Sequence, residues 1–320
     1  MPDLYRIFNT TLSCDFPLPE LPACSDGEFG LSVTMGEGDP SRFDSMGFAT
    51  AFEWRSVDDR VICSCLRKGD EYLFEFPFSS TFHITSGLIS CYLHESSSMQ
   101  MLRHLLLNQV IPRYLATTGL LVLHAGAVTL ENGKSVAFLG NSGFGKSTLV
   151  SSFHRHGAQL INDDCIMLEC GANGVTAIGG LVGIRLFPDS VNAVFTEAAG
   201  FTNYTPYTDK QQLFLKDQVG DGLPEPRKLD AIFLLNDPKE GCDDDRGVEI
   251  SISPVSASTG MLAMIYSAFS LDPSDKKMMA SNFRNVGQAV SERLAVLSLS
   301  YPRQHDLLPE VRTAVTDWLA

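Results

Sequence analysis

Apolar and polar positions alternate through roughly the first 95 residues, the period expected of strands with one buried face. In Glu71–Phe78 (EYLFEFPF), Tyr72, Phe74, Phe76 and Phe78 fall on every second position, which predicts a strand with an aromatic face. Leu88–Leu93 (LISCYL) is a second strand-like run. Pro17 and Pro19 mark an extended segment, Asp26–Gly27 a turn, and Gly36 to Ser41 (GEGDPS) a loop. From Ser97 the period lengthens. Met101, Leu102, Leu105, Leu106, Gln109 and Val110 trace a helix that Ser97 or Ser98 can cap, that Pro112 kinks or ends, and that Gly119 closes. The change of period predicts a β-rich N-terminal domain over residues 1–96 and a second domain over residues 97–320.

The second domain mixes strands and helices, so the class expected is α/β. Leu120–Leu130 and Lys134–Leu139 read as two strands joined through Glu131–Asn132–Gly133, where Asn-Gly tolerates the positive φ of a hairpin turn. Leu229–Leu235 (LDAIFLL) reads as a buried strand and Val248–Ser253 as a half-buried one. Helices are expected at about 256–268, 275–297 and 309–319. Asp243–Asp245 with Arg246 reads as a solvated turn. No internal repeat is present.

Within this pattern one segment carries chemistry. The strand SVAFL runs into Gly140-Asn141-Ser142-Gly143-Phe144-Gly145-Lys146-Ser147-Thr148, and the helical run KSTLVSSFHRH leaves it. The spacing is G-x-x-x-x-G-K-[ST] in full, in the strand–turn–helix context that a phosphate loop requires. Glycines let the backbone N–H groups turn inward on phosphate oxygens, and the helix start adds partial positive charge. Residues 140–148 are therefore the expected nucleotide cradle. Lys146 would reach the β- and γ-phosphates, and the Ser147 hydroxyl would ligate Mg²⁺.

Gly157 is a natural stop for the helix after His154, Arg155 and His156. The short run Gln159–Asn162 then ends in Asp163 and Asp164, only 17 positions beyond Lys146. One helix and one strand fill that interval, so the acids are expected beside the loop. One can hold Mg²⁺, directly or through water, while the other accepts the proton of an attacking hydroxyl; crowding of like charge raises one pKa. Arg185 lies in the apolar run GIRLF and needs a partner if buried, and Lys210 lies in the polar stretch Tyr204–Gln212. Both are candidates for stabilising charge on the transferring phosphoryl group.

Composition narrows the partners. Hydrophobic residues at 44% and charged residues at 19% exclude a wholly disordered chain. The net charge of -14 opposes binding to phosphate backbones or anionic membranes, so neither nucleic acid nor membrane is an expected partner. The start MPDLYRIFNTTLSCDF has a single Arg and no apolar core of signal length, and the longest apolar run, Gly119–Val128, is interrupted by His124. A cytoplasmic protein is expected. Its cysteines (Cys14, Cys24, Cys63, Cys65, Cys91, Cys165, Cys170 and Cys242) include no C-x-x-C pair and read as reduced thiols, with structural zinc the lesser alternative.

Three stretches, LHAGAV (123–128), FLGNSGFGKSTL (138–149) and RHGAQLINDD (155–164), resemble the C-terminal catalytic domain of the HPr kinase/phosphorylase family. Gly183–Asp189 (GIRLFPD) and Pro226–Leu235 extend the resemblance toward stand-alone HPr-kinase-like serine kinases of peptide-modification systems, including lasso-peptide kinases. The resemblance implies a P-loop kinase domain similar to phosphoenolpyruvate carboxykinase and HPr kinase, behind a β-rich N-terminal domain. It implies Lys146 on phosphate, Ser147 on Mg²⁺, and Asp163 and Asp164 as base and metal contact. His124 would stand near the reacting phosphate, orienting a carboxylate or the nucleotide. Thr148 stands where HPr kinases usually carry Glu, so neither HPr as substrate nor the reverse phosphorolysis is expected.

The leading expectation is a kinase dependent on ATP and Mg²⁺ that phosphorylates a serine of a peptide or protein, a biosynthetic precursor peptide among the candidates. A small-metabolite kinase and a nucleotide-dependent binding protein without transfer activity are the alternatives. A transport ATPase lacks support: there is no LSGGQ-type signature, and Asn236 separates the strand AIFLL from Asp237. The sequence leaves self-association open.

Overall fold

The computed structural model describes residues 2–25, 30–40, 43, 46–56, 58–181, 183–195, 200–203, 209–215, 222–238, 250–292 and 294–320. Asp26–Gly27, Ser41, Tyr204–Thr208, Cys242, Asp243–Arg246 and Val248 lie outside them. The fold is mixed α/β with three sheets, and the chain divides into two compact units. Residues 1–119 with 270–281 form one; residues 120–269 with 282–320 form the other.

In the first unit the alternating N-terminal pattern becomes a nine-stranded sheet. Its strands are β1 (Asp3–Ile7), β2 (Thr10–Cys14), β3 (Ala23–Cys24), β4 (Leu31–Met35), β5 (Ala49–Arg55), β6 (Val61–Lys68), β7 (Glu71–Phe76), β8 (Ser80–Thr85) and β9 (Leu88–Leu93). They are ordered β3-β1-β2-β4-β9-β8-β7-β6-β5. Neighbours are antiparallel except β2 with β4 and β4 with β9. Phe78 does not join the aromatic face of β7. Pro77 cannot donate to the ladder, the strand stops at Phe76, and Phe78 sits in the turn at φ 63, 84% exposed. The segment 270–281 is held to β6 by Arg67, which pairs with both Asp272 and Asp275.

Ser98 is the helix cap, its Oγ accepting the Met101 N–H at 3.2 Å. Helix α1 (Met99–Leu105) does not stop at Pro112; it passes through a π-helical turn, Leu106–Val110, and continues as α2 (Ile111–Thr117). Within that turn the Ile111 N–H bonds Leu106 O, five residues back. A wider turn just before the proline is what lets the helix run on, because the ring would clash with an ordinary i−4 carbonyl.

The second unit is built on a branched sheet. Its strands are β10 (Leu121–Leu123), β11 (Gly126–Thr129), β12 (Ser135–Leu139), β13 (Gln159–Asn162), β14 (Ile166–Gly171), β15 (Gly174–Gly179), β19 (Arg227–Leu235), β20 (Ser251–Pro254) and β21 (Ala295–Ser300). A separate three-stranded sheet holds β16 (Gly183–Leu186), β17 (Thr202–Asn203) and β18 (Gln211–Phe214). The Asn132–Gly133 turn joins β11 to β12, with Gly133 at φ 81. Leu120–Leu130 is not one strand: it breaks at His124 and Ala125, so that β10 pairs with β14 while β11 pairs with β12 and β13. Nor does the helix read at 275–297 reach that far. It ends as α6 (Lys276–Ser291), and Ala295–Ser300 forms β21, parallel to β19. Burial of Leu297, Leu299 and Tyr301 at alternate positions, together with an open parallel slot beside β19, decides that segment.

The remaining helices are α3 (Lys146–Arg155), α4 (Pro188–Val194), α5 (Ala257–Ser267) and α7 (Leu308–Trp318). They cover both faces of the parallel trio β12, β19 and β21. Val136 and Phe138 point into a core shared with Leu149 and Phe153 of α3 and Val311 and Val315 of α7. Ala137 and Leu139 point the other way, into a core shared with Met264 of α5 and Val286 and Ala289 of α6. Phe138 stacks between Phe153 and Phe233, with centroids at 5.6 and 5.8 Å. Such two-sided burial explains why every residue of Ser135–Leu139 is buried.

Helix α3 is pinned closely to the sheet at Gly126. A β-carbon there would lie 2.6 Å from Val150 Cγ2 and 3.0 Å from the Asp163 carbonyl oxygen. Gly126→Ala is therefore expected to lower stability by about 1–3 kcal/mol, the range for overpacking a dense core. Urea unfolding tests this, and an unchanged midpoint would mean that α3 can shift freely away from β11.

Candidate functional site

The turn between β12 and α3 is shaped by glycine. Gly143 and Gly145 stand at φ 85 and 91, the left-handed region that side chains resist, and Gly145 is the residue that caps α3. With that bend the chain enters α3 at Lys146, so the first turn of the helix faces a cleft of about 220 Å³. Lys146 is only 6% exposed, and its ammonium donates to the carbonyls of Gly140 at 2.7 Å and Asn141 at 3.1 Å. Burial lowers its pKa to about 8, against the pull of Asp164 and Asp163.

Strand β13 carries the two acids to the same place. Asn162 makes the bend after it, its side-chain oxygen accepting the N–H groups of Asp164 at 3.1 Å and Cys165 at 3.4 Å. Adjacent residues then face different surroundings. Asp164 lines the cleft. Asp163 lies behind it, 1% exposed.

Arg185 on β16 addresses both acids. Its backbone N–H donates to Asp163 Oδ2 at 2.9 Å, and its guanidinium donates to Asp164 Oδ2 at 3.3 Å. Among the described residues, Asp163 Oδ1 has no hydrogen-bond partner. Burial, then the neighbouring Asp164 charge, push the Asp163 pKa up to about 7, although the Arg185 amide, Lys210 and the Ser147 hydroxyl oppose the shift. This carboxylate is thus a desolvated acceptor beside the first turn of α3, with the Arg185 amide donating to Oδ2.

His124, at the break between β10 and β11, lines the cleft. A carbonyl oxygen only accepts, so the 2.8 Å contact to the Asp164 carbonyl fixes the proton on Nδ1. Burial, then the Lys146 charge, push its pKa down to about 4, which leaves the ring neutral at pH 7. Lys210 also lines the cleft, with its ammonium 5.4 Å from the Phe187 ring centre.

The cleft lining includes His124, Ser142, Gly143, Gly145, Lys146, Ser147, Thr148, Asp164, Arg185 and Lys210. Gly140, Asn141 and Phe144 face a separate groove on the other side of the turn, together with His124 and Ser142. Residues the sequence did not single out complete the cleft. Arg303, in the loop after β21, donates to Phe144 O at 2.8 Å, to Tyr301 O at 2.6 Å and to Asn236 O at 2.7 Å, and so ties the glycine turn to the ends of β19 and β21. Thr148 Oγ1 donates to Ser190 at 3.1 Å, and Ser190 contacts His305 Nε2 at 3.4 Å. The signal that could have found Arg303 is the alternation in AVLSLSY: a parallel strand there delivers its following loop to the same sheet edge as β12.

Among the described residues no group of three or more His, Cys, Asp or Glu is placed to hold a metal. A phosphate-bound Mg²⁺ needs fewer, one or two protein oxygens beside the phosphates. Ser147 and the partnerless Asp163 Oδ1 fit that demand. The seven described cysteines are unbridged. No described helix is long and apolar enough to cross a membrane.

The raised pKa of Asp163 has a consequence for stability. Between its ordinary value near 4 and about 7, the folded protein holds a proton that the unfolded chain has lost. Stability from this group therefore falls as pH rises through that window. Asp163→Asn removes the penalty. The variant's stability relative to wild type is expected to rise between about pH 4 and pH 7 and to exceed wild type in urea unfolding at pH 8. A difference that shrinks with rising pH would contradict the assignment.

No protein-family model and no curated protein matches the sequence. Among solved structures, the chain matches an HPr(Ser) kinase/phosphatase from Coxiella burnetii at 15% identity and a TM-score of 0.32, over 61% of this chain and 94% of that one.

Proposed function

We propose that this protein is a phosphotransferase that moves the γ-phosphoryl group of ATP, as its Mg²⁺ complex, to the serine hydroxyl of a peptide or protein. One observation carries the reading. A glycine-shaped turn ending in Lys146-Ser147 and a strand ending in twin carboxylates meet around a single cleft, and Arg185 reaches both acids. The cleft collects Lys146, Arg185, Lys210 and Arg303 in a chain whose net charge is -14. A cationic pocket on an acidic protein suits a compact polyanion.

In this reading residues 140–148 form a P-loop whose N–H groups, with the start of α3, cradle the phosphates. Lys146 exchanges its carbonyl partners for β- and γ-phosphate oxygens, which favour its charged form. Ser147 and Asp163 hold Mg²⁺; when bound, the ion offsets the negative charge of the phosphates. Asp164 is the base, because access decides before basicity: it lines the cleft and Asp163 does not. The acceptor hydroxyl gives its proton to Asp164, its oxygen forms the new bond to phosphorus, and the bond from phosphorus to the β-bridging oxygen breaks to release ADP. Arg185 and Lys210 stabilise the charge on the three equatorial oxygens. His124 holds the Asp164 backbone and stays uncharged next to Lys146.

Incubation with γ-labelled ATP, Mg²⁺ and serine peptides tests this. Asp164→Asn is expected to lower kcat by about 100-fold or more while binding of a fluorescent ATP analogue persists. Asp163→Asn is expected to raise the Mg²⁺ concentration needed for half-maximal rate. Transfer that survives in both variants would remove the carboxylates from the mechanism, and phosphate release without peptide labelling would favour a nucleotide-driven switch.

A further inference from the structure

We infer that the groove on the far side of the glycine turn holds the acceptor, and that it selects an aliphatic or aromatic residue next to the phosphorylated serine. The inference rests on the phosphotransferase reading above and adds the substrate's chemistry.

The groove has a volume of about 580 Å³ and is walled by the β12 and β19 ends and by α5, through Leu139, Leu235, Ala263 and Tyr266. Among the described residues, no Asp, Glu, Lys or Arg lines it. Helix α5 is apolar well beyond its buried face. Met264 is fully buried, yet Leu262 is 51% and Tyr266 86% exposed, so an apolar shelf leads outward from the groove.

Continuity with the phosphate cleft assigns the occupant. The two cavities share His124 and Ser142 and no other lining residue. His124 is hydrogen-bonded to the Asp164 carbonyl, so the junction adjoins that acid. Arg303, His305 and Leu308 also line the cleft, and Ser190 links His305 to Thr148 on the first turn of α3. In the phosphotransferase reading the γ-phosphoryl lies by Asp164 and the nucleoside extends past Thr148 toward these residues. In-line transfer brings the hydroxyl from the side away from the leaving ADP, and the groove that joins the cleft at His124 and Ser142 supplies that approach. A side chain seated against Ala263 and Tyr266 leaves its neighbour's hydroxyl at Asp164.

The test is a positional-scanning library of serine peptides, labelled with γ-labelled ATP, alongside titration with a fluorescent ATP analogue. Wild type should favour Leu, Ile, Met or Phe over Asp and Ser at one position adjacent to the serine by about tenfold, the scale of a hydrophobic subsite. Tyr266→Ala, at an exposed position that folding does not need, and Ala263→Trp, which fills the groove, should each erase that preference. Affinity for the ATP analogue should stay within about twofold in both. Labelling without apolar preference in wild type would overturn the inference alone. Loss of nucleotide affinity in Tyr266→Ala would also overturn it, by giving the groove to the nucleoside. Failure of wild type to label any peptide would overturn the phosphotransferase reading itself.

Discussion

A carboxylate taken almost wholly out of water sets the terms for this site. Asp163 is 1% exposed, next in sequence to a second acid, and holds one backbone N–H against its negative charge. Isolated burial of such a group is unfavourable by several kcal/mol unless a proton or a cation joins it. Its second oxygen, Oδ1, has no hydrogen-bond partner among the described residues. Lys146, Lys210 and the start of α3 bring positive charge to the same cleft.

The fold supplies the rigidity that such a site needs. Strands β12, β19 and β21 run parallel, so the turn at 140–145 and the loop at 301–305 leave from one edge of the sheet. Arg303 crosses between them and hydrogen-bonds three carbonyls. Beneath, the stacked rings of Phe153, Phe138 and Phe233 fix α3 against the sheet, and Gly126 lets β11 approach α3 without a side chain between them. Displacing any one of these parts moves the others, because the interior is close-packed.

Much of this was legible in the residues. The glycine spacing with Lys146-Ser147, the strand before it and the helix after it are local signals, and so is the Asn132–Gly133 hairpin. The alternation before residue 95 foretold strands, but not that Pro77 would end β7 and send Phe78 to solvent. What the sequence could not show depends on distant partners. AVLSLS reads equally well as the tail of a helix until the slot beside β19 exists. Pro112 reads as a stop until a π-helical turn absorbs it. Ser190 on α4 and Arg303 and His305 after β21 join the cleft from far along the chain, and only the alternation in AVLSLSY hints at the last two. Asp163 and Asp164 look alike in sequence, yet one lines the cleft and the other lies behind it.

Arg185 holds one acid through its main chain and the other through its side chain. The grip on Asp163 is consequently indifferent to the identity of residue 185, proline excepted, whereas the grip on Asp164 vanishes with the guanidinium. Drift at this one codon would leave the buried acid anchored while retuning the exposed one, so the two carboxylates are free to diverge in evolution although they are neighbours in the chain.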